Sequence, residues 1–494
     1  MLIATAAVVP VVLVASLVLA VLILLYRPLP TIEADMRLLG LDERAEIVRD
    51  VWGVPHIFAR TTHDLFYLQG YAVAQDRLFQ IELLRRAGRG QLAAVIGPAG
   101  AESDAAAGAS GLVAAAEAEG ARLGAPARAA AQAYADGVNK FLQQHGDSLP
   151  LEFTLLGFRP APWRVSDSLV VLQVLAAPRT PGSPLTRAIA GASDAAGTGD
   201  AAGARGATGA GDAAGASCRA LAGSRTASGQ PLLEGDPRLF GGRDPGLWYA
   251  VALTGPDDEL AGFAAPGVPG IAIGHNRRLA WSFIAAPSAP SAPSALSAPA
   301  TPVAPATPRS SAGGGASLLQ DLDAALALGR ATDRGTFGAA LAAARGGTPA
   351  YCYADAAGHI GTVSAGVAAF DPPGGEARQG GALAVPVAPA AAEAITFRHP
   401  LAALQPPVLP AALGGFLTAG PYDPPAGGAL ERIAVDLGDL DATRAVLPLG
   451  ESGQPAARHY RDQAAPWRAG ELLPLPLSRA RLGTGEATLV FRPR

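Results

Sequence analysis

Near its start, the segment from Gly215 to Leu239, GASCRALAGSRTASGQPLLEGDPRL, holds two adjacent side chains that could act as nucleophiles. Ser217 carries a hydroxyl and Cys218 carries a thiol, and either can attack a carbonyl carbon once a base removes its proton. Cys352 is the other cysteine of the chain, so one disulfide is possible, and the sequence alone does not decide whether it forms. The Cys and His spacings are not those of a zinc site, and we expect none.

The composition argues against a nucleic-acid partner. The chain has 494 residues and a net charge of −4, without a run of five or more basic residues. Proteins that bind nucleic acid usually carry a basic patch or stripe. We therefore expect no nucleic-acid partner.

The N-terminal segment predicts a membrane anchor. Residues 2–26 carry no charge, and this run exceeds the ~20 apolar residues that span a bilayer as a helix. A cleaved signal peptide would have a shorter apolar core. We expect an uncleaved transmembrane helix over residues 1–27, whose orientation the flanking charges leave open.

The dense segment after the anchor should provide the elements that position any chemistry. IVRDVWGVPHIFA, residues 47–59, predicts a strand, a turn and a second strand. Asp64 is a candidate N-cap for a long helix that ends near Gly88 and Gly90. Further strand-like runs follow later in the chain: LWYAVALTG, LAGFAAPGVPGIAIGHN and LAWSFI.

Two low-complexity stretches divide the chain. Residues 190–215 are rich in Gly and Ala, and residues 286–308 are rich in Pro, Ser and Ala. Neither stretch has enough apolar surface to order itself, so we interpret them as linkers. This predicts a first region over 31–189 and a second over 216–494, with an insert at 286–308.

Several motifs, in order along the chain, carry a resemblance to one family. They are RDVWGVPHIFA, DLFYLQGYAVAQDRLFQIELLRRAGRGQLAAVIG, LPLEFTLLGFRPAPW, AGSRTASGQPLLEGDPRL, PGVPGIAIGHNRRLAWSF, YADAAGHIG and GESGQPAARHYRDQAAPWRAGELLPLPL. Together they resemble the penicillin acylase family of N-terminal-nucleophile hydrolases. The chain is shorter than is general for that family.

The resemblance implies a fold and an activity. The fold would be α+β, a four-layer αββα sandwich, here preceded by the transmembrane helix, with both regions intertwined outside the cytoplasm. The activity would be hydrolysis of linear amide C–N bonds in small acyl amides, including β-lactam side chains. Family precursors are cut internally, and the cut exposes a Ser whose own α-amine acts as the base.

The position of that nucleophile has two interpretations. Counting back from Gly223 without a gap places Ala216 at the family's Ser position, after Gly215. A one-residue deletion would place Ser217 there instead. Such a shift in a strand turns every later side chain to the other face, which disfavours it without a bulge.

Other family positions are also altered. Arg238 occupies a position that is His in many relatives, and an arginine cannot act as a base because it stays protonated. Ala350 occupies the position of the Asn that stabilises the oxyanion, as aligned on Tyr353, Ala354 and Asp355. Loss of one such donor typically costs about 10²–10³ in rate.

A calcium site is implied by the resemblance but is incomplete. Glu152 matches a glutamate that binds calcium in some relatives, yet no acidic residue occurs from Phe283 to Arg309, where its partners would lie. Calcium takes 6–8 oxygen ligands, so we expect no cofactor and a structural Glu152. His56 and His275 are interpreted as structural, and residues 224–226 as part of a supporting strand.

Three hypotheses remain open. The chain is a penicillin acylase-type hydrolase with degraded catalytic residues, slow or altered, using Ser217. Alternatively, it is a catalytically inactive, membrane-anchored pseudoenzyme that binds a ligand or partner, or a decayed product that folds poorly.

Overall fold

The computed structural model describes residues 2–177, 216–237, 246–284, 321–345, 350–364, 431–482 and 485–494, and three short strands between 382 and 422. For residues 2–10, for residue 364 and for the three short strands, it describes the backbone alone. Arg238 and both predicted linkers, 190–215 and 286–308, lie outside the described residues.

The first region is mainly helical. In chain order its elements are α1 (Leu2–Tyr26), β1 (Ala34–Leu38), β2 (Ala45–Arg49), β3 (Pro55–Phe58), α2 (Thr62–Arg89), α3 (Ala93–Ile96), α4 (Ala101–Ser110), α5 (Leu112–Arg122), α6 (Ala125–His145), α7 (Leu151–Leu156) and α8 (Val165–Ala176).

The second region is mainly strands. Its strands are β4 (Ser217–Leu221), β5 (Leu232–Asp236), β6 (Tyr249–Thr254), β7 (Glu259–Ala264), β8 (Ile273–His275), β9 (Leu279–Ile284), β10 (Ala350–Asp355), β11 (Ile360–Ser364), β12 (Ala382–Ala384), β13 (Ile395–Arg398), β14 (Thr418–Tyr422), β15 (Arg432–Asp436), β16 (Arg444–Val446), β17 (Leu473–Pro474) and β18 (Ala487–Pro493). Its helices are α9 (Leu322–Gly329), α10 (Arg334–Ala343), α11 (Ala464–Arg468) and α12 (Arg479–Leu482).

Helix α2 begins at a different cap from the predicted one. Thr61 is the N-cap, and its side chain accepts a hydrogen bond from the backbone N–H of Asp64. The Asp64 carboxylate instead accepts the backbone N–H groups of Asp42 and Glu43, each at 2.9 Å. The predicted Asp64 cap is therefore wrong, whereas Gly90 ends the helix as predicted, in the left-handed conformation with φ 64°.

A ten-stranded sheet joins the two regions. Its strand order is β1-β18-β2-β3-β6-β7-β8-β9-β10-β11. The C-terminal strand β18 lies between two N-terminal strands, parallel to β1 and antiparallel to β2. The intertwining expected from the resemblance is therefore present in the backbone of this sheet.

A six-stranded sheet lies against the ten-stranded one. Its order is β12-β4-β5-β15-β16-β17, and it contains the strand that begins at Ser217. Cα atoms of β4 come within 8 Å of those of β9 and β10 in the other sheet. β13 and β14 form a separate pair.

Helices cover the outer face of the ten-stranded sheet. Tyr249 of β6 donates to Asp76 of α2 at 2.5 Å, and Phe337 of α10 contacts the rings of Tyr351 and Tyr353 on β10. The fold is thus mixed α+β and consistent with the penicillin acylase architecture. On the outer face of the six-stranded sheet Arg219 and Glu234 are exposed, so the full four-layer arrangement stays a prediction.

The N-terminal segment forms the 25-residue helix α1. Among the residues that the structure fully describes, no helix reaches the length and hydropathy of a membrane span. The transmembrane helix therefore stays a prediction.

Candidate active site between the two sheets

Strand β4 presents alternating faces. Ala216, Cys218 and Ala220 are at most 2% exposed, whereas Arg219 is exposed. Successive side chains of a strand point to opposite faces. Ala216, Cys218 and Ala220 therefore share the inward face, and Ser217 and Arg219 share the outward one.

Strand β10 has a matching inward face. The rings of Tyr351 and Tyr353 contact Phe337 of α10, so these two side chains point to the helices. By the same alternation Ala350, Cys352 and Ala354 point to the six-stranded sheet.

A disulfide between Cys218 and Cys352 connects the two inward faces. The sequence alone left open whether these two cysteines form a disulfide, and in the structure they do. Ala216 and Ala350 each lie two residues before a bridged cysteine, so both methyl groups face the same space between the sheets. These are the two positions at which the alignment without a gap, described above, predicts the family's nucleophile and oxyanion donor.

The sheets approach closely at this point. The Cα atoms of Cys218 and Cys352 are 6.3 Å apart, whereas stacked sheets usually lie ~10 Å apart. Opposite Cys218 in the sheet register is Gly235, at which a Cβ would lie 2.7 Å from the Ser282 hydroxyl of β9. A side chain at position 235 would therefore press on Ser282, and the side chain of Ile433 would also lie close, with its Cγ2 3.4 Å from that Cβ.

Ser217 lies on the other side of β4 from this space. It is 9% exposed, and its cross-strand partner is Asp236, which is buried. By the alternation along β4, its side chain points to the face opposite that of Cys218.

The cavities in the described part of the structure lie away from Ala216, Ser217 and Ala350. One of about 430 Å³ lies between α6, α9 and α10 and is lined by Leu326, Ala331 and Ala340 among others. The cavity that reaches β10, through Tyr351, has a volume of about 30 Å³. None of the three cavities described for the placed residues is lined by Ala216, Ser217 or Ala350.

Glu152 lies in α7 and is 1% exposed. Burial raises the pKa of the neighbouring Tyr460 to about 12, and the Glu152 charge contributes to the rise. Within the described residues, two clusters place ligand-type atoms within 4.8 Å of one another, and Glu152 belongs to neither: Asp42, His63 and Asp64; Glu119, Asp321 and Asp323. Among the described residues, Glu152 is therefore not part of such a cluster, and the expectation about calcium stays a prediction.

In both clusters, carboxylates accept hydrogen bonds from backbone N–H groups. The Asp64 oxygens hold two N–H groups of residues 42 and 43, as described above. Both oxygens of Asp323 accept the N–H of Gly124, at 3.2 and 3.0 Å. Asp321 caps α9 through the N–H of Ala324. These carboxylates hold loops and helix ends in place.

The two histidines singled out from the sequence are buried in the scaffold. His275 is fully buried; its Nδ1 donates to the carbonyl of Asn276 at 3.1 Å, and its Nε2 accepts from Thr443 at 2.9 Å. His56 is also fully buried, with its Nε2 3.6 Å from Asp50. The structural interpretation agrees with both environments.

The supporting strand expected at residues 224–226 is not formed. A 3₁₀ turn spans Gly223–Arg225, and the Thr226 hydroxyl donates to the carbonyls of Gly223 and Gln230. A Cβ at Gly223 would lie 2.2 Å from the Gly229 carbonyl, so the chain doubles back tightly here. This prediction is wrong because the turn closes on itself.

One buried network was not found from the sequence. Arg49 of β2 pairs with Asp76 of α2 at 2.9 Å, and Tyr249 of β6 donates to the same carboxylate. Burial disfavours the charged form of Arg49, but the Asp76 carboxylate outweighs it and the pKa of Arg49 is raised. Burial also raises the pKa of Glu451, whose Oε1 accepts from Ala250. The signal available in the sequence was the run of polar residues in an otherwise apolar helix.

Comparison with known proteins identifies the family. The sequence pattern of the family described as penicillin amidase matches residues 44–290 and 391–484, well over half of the chain. The match spans both regions, including the strands β4 and β5.

Curated relatives match a shorter stretch. The chain is 38% identical over 147 residues to "Penicillin acylase 2 proenzyme" of a Pseudomonas species, which is 30% of this chain and 19% of that protein. It is 38% identical over 130 residues to "Penicillin G acylase" of Escherichia coli, 26% of this chain and 15% of that one. It is 33% identical over 147 residues to "Acyl-homoserine lactone acylase QuiP" of Pseudomonas aeruginosa, which is 30% of this chain and 17% of that protein.

A solved structure, a thermostable penicillin G acylase from Alcaligenes faecalis, is 36% identical and covers 26% of this chain and 70% of that one, with a TM-score of 0.25. The matched stretch thus spans less than a fifth of the length of each of the three curated relatives. The extent of the family match nevertheless establishes the membership: the chain belongs to the penicillin amidase family.

Proposed function

We propose that this chain retains the scaffold of a hydrolase for linear amide C–N bonds but does not turn such bonds over efficiently. It acts instead as a membrane-anchored pseudoenzyme that binds an acyl amide or a protein partner. The ligand class follows the relatives named above, which are acylases. The anchor is the uncharged run of residues 2–26, and the catalytic-type fold lies outside the cytoplasm.

One observation carries this proposal. Ala216 and Ala350 face the same space beside the Cys218–Cys352 bridge. A methyl group has no lone pair to attack a carbonyl and no proton to donate to an oxyanion. The absence of the oxyanion donor alone would cost about 10²–10³ in rate. Because both the nucleophile and the oxyanion donor are missing, the two alanines can carry out neither step of amide hydrolysis.

A second candidate function rests on Ser217. It is the first residue of β4, and its cross-strand neighbour is the buried carboxylate of Asp236. If the backbone were cut before Ser217, the new α-amine, with a pKa near ~8, could serve as its base. This would make the chain a slow amidohydrolase.

A substrate panel separates the two candidates. We expect the purified full chain to release no more product from chromogenic linear acyl amides than its Ser217→Ala variant does. Ser224→Ala, in the exposed turn after β4, is the matched control for a lost hydroxyl. Turnover by the wild-type chain that falls 100-fold or more in Ser217→Ala, but not in Ser224→Ala, would establish the Ser217 enzyme instead.

A further inference from the structure

Strand β1 (Ala34–Leu38) lies at one end of the ten-stranded sheet. Among the described strands it pairs with β18 alone, on one of its two sides. The N–H and C=O groups along the other side therefore have no strand beside them in the described structure. Such an edge is a template for pairing with another chain.

The side chains of β1 alternate between two faces. Leu38 is 1% exposed, and Ala34 and Met36 are partly buried against the same core. Asp35 and Arg37 are exposed, as expected for the opposite face of the strand. The core-facing row thus ends at the edge with apolar side chains that a further strand could cover.

The two charges on the exposed face of β1 differ in their pairing. Asp35 forms an ion pair with Arg492 of β18, with 2.7 Å between Oδ2 and Nη2. Arg37 lies opposite Arg492 in the parallel register and forms no ion pair with an acidic side chain of the described residues. Like charges directly opposite each other on neighbouring strands are destabilising. Arg37 therefore has room for a carboxylate partner on its open side.

We propose that β1 pairs antiparallel with β1 of a second copy of this chain, about a two-fold axis at Met36. In that register Asp35 of each copy lies opposite Arg37 of the other, and Ala34 lies opposite Leu38. A two-fold interface repeats each contact twice. Acid thus meets base on the exposed face, and apolar side chains meet on the core face.

Other registers lack this match. Centring the antiparallel pair on Asp35 places two aspartates opposite each other, and centring it on Arg37 does the same with two arginines. A parallel pair in register places like charges side by side at both positions. A shift by one residue turns the charged row towards the apolar one. The pattern of β1 therefore favours the pairing centred on Met36 over the alternatives.

The expected interface is small. Stable dimers usually bury roughly 1,200–2,000 Å² in total, and a pair of five-residue strands provides less than that. We therefore expect a short-lived pair that covalent trapping can accumulate. Helix α1 precedes β1 directly, so the anchor proposed above would hold the copies in one layer and raise their effective concentration. The inference goes beyond the proposed function, because the pairing does not depend on whether Ser217 has activity.

Cross-linking of the purified full chain in mild detergent tests the pairing. Glu33→Cys and Leu39→Cys each add one exposed thiol just beyond an end of β1, and the native cysteines are held in their bridge. In the proposed register position 33 of one copy lies opposite position 39 of the other, whereas the two positions 33 lie about 20 Å apart. A short bismaleimide should therefore give at least about fivefold more dimer from an equal mixture than from either variant alone.

The charge pair is tested in the same assay. Arg37→Asp in both chains should reduce the dimer to the amount seen with a single variant. Arg37→Asp in one chain and Asp35→Arg in the other should restore it, because two acids then face two arginines. Equal cross-linking in the mixture and in the single variants would overturn the proposal. A dimer yield that Arg37→Asp leaves unchanged would also overturn it.

Discussion

Replacing Asp76 with alanine should lower the free energy of unfolding by about 3–5 kcal/mol. Asp76 is the carboxylate partner of Arg49, which is 3% exposed, and it also accepts the hydroxyl of Tyr249. Without it the guanidinium keeps its bonds to the Gly53 carbonyl and the Gln75 amide but has no negative charge beside it. A buried, uncompensated charge is the reason for the large effect.

Chemical denaturation of the variant and of a matched control measures this effect. Asp35→Ala removes a carboxylate from the Arg492 ion pair at 2.7 Å, where both side chains are about half exposed, and it should change stability little. Adding Arg49→Met to Asp76→Ala should recover part of the loss, because the unpaired charge is then gone. Equal, small effects of Asp76→Ala and Asp35→Ala would contradict the account of the buried network.

The network also bears on how the two regions are held together. Arg49 and Asp76 belong to the first region, whereas Tyr249 belongs to the second. A single carboxylate therefore connects β2, α2 and β6. Loss of Asp76 should therefore destabilise both regions and not one of them alone.

Acidification from pH 6.5 to pH 4 should cost the wild-type chain about 3 kcal/mol through His275 alone. Burial lowers the pKa of His275 from 6.5 to about 4, against smaller opposing effects of the Asn276 carbonyl and the Asp441 charge. The folded state therefore resists the protonation that the unfolded state accepts. The stabilisation is complete above pH 6.5 and is lost as the pH falls towards 4.

The pH dependence of denaturant midpoints in His275→Asn isolates this contribution. The variant keeps a donor for the Asn276 carbonyl but leaves Thr443 without its ring partner, so it starts less stable at pH 7. Its stability should then fall less steeply between pH 6.5 and 4 than that of the wild type.

His63 provides a control whose pKa shifts in the opposite direction. Its hydrogen bond to Asp64 raises the pKa of His63, so its contribution grows as the pH falls and is lost as the pH rises. The stabilisation by His63 is present below pH 6.5 and is lost above it, so His63→Asn should lower stability in acid without changing much the slope between pH 6.5 and 4. A wild-type profile that is superimposable on that of His275→Asn would show that His275 is not held neutral.

Local patterns were enough to predict much of the scaffold. The Gly-Val-Pro turn between β2 and β3, the end of α2 at Gly90 and the strand runs of β6 to β9 all follow from residue type and spacing. These features depend on neighbours in the sequence, which the sequence displays directly.

Features that depend on distant partners could not be predicted. Asp64 fits the N-cap rule as well as Thr61 does, and what takes it out of that role is two backbone N–H groups 21 and 22 residues away. The disulfide was undecidable because its cysteines are 134 residues apart and meet across two sheets. Whether Ala216 or Ser217 faces the inter-sheet space likewise depends on which side of β4 carries the bridge.

Intact-mass spectrometry of the purified, folded full chain tests the central claim most directly. If Ala216 holds the nucleophile position, no residue attacks the chain's own backbone, and we predict one uncut species of 494 residues, 49.6 kDa. Two associated fragments divided between Ala216 and Ser217 would contradict this. They would show that Ser217 is an active N-terminal nucleophile and that the chain is an enzyme.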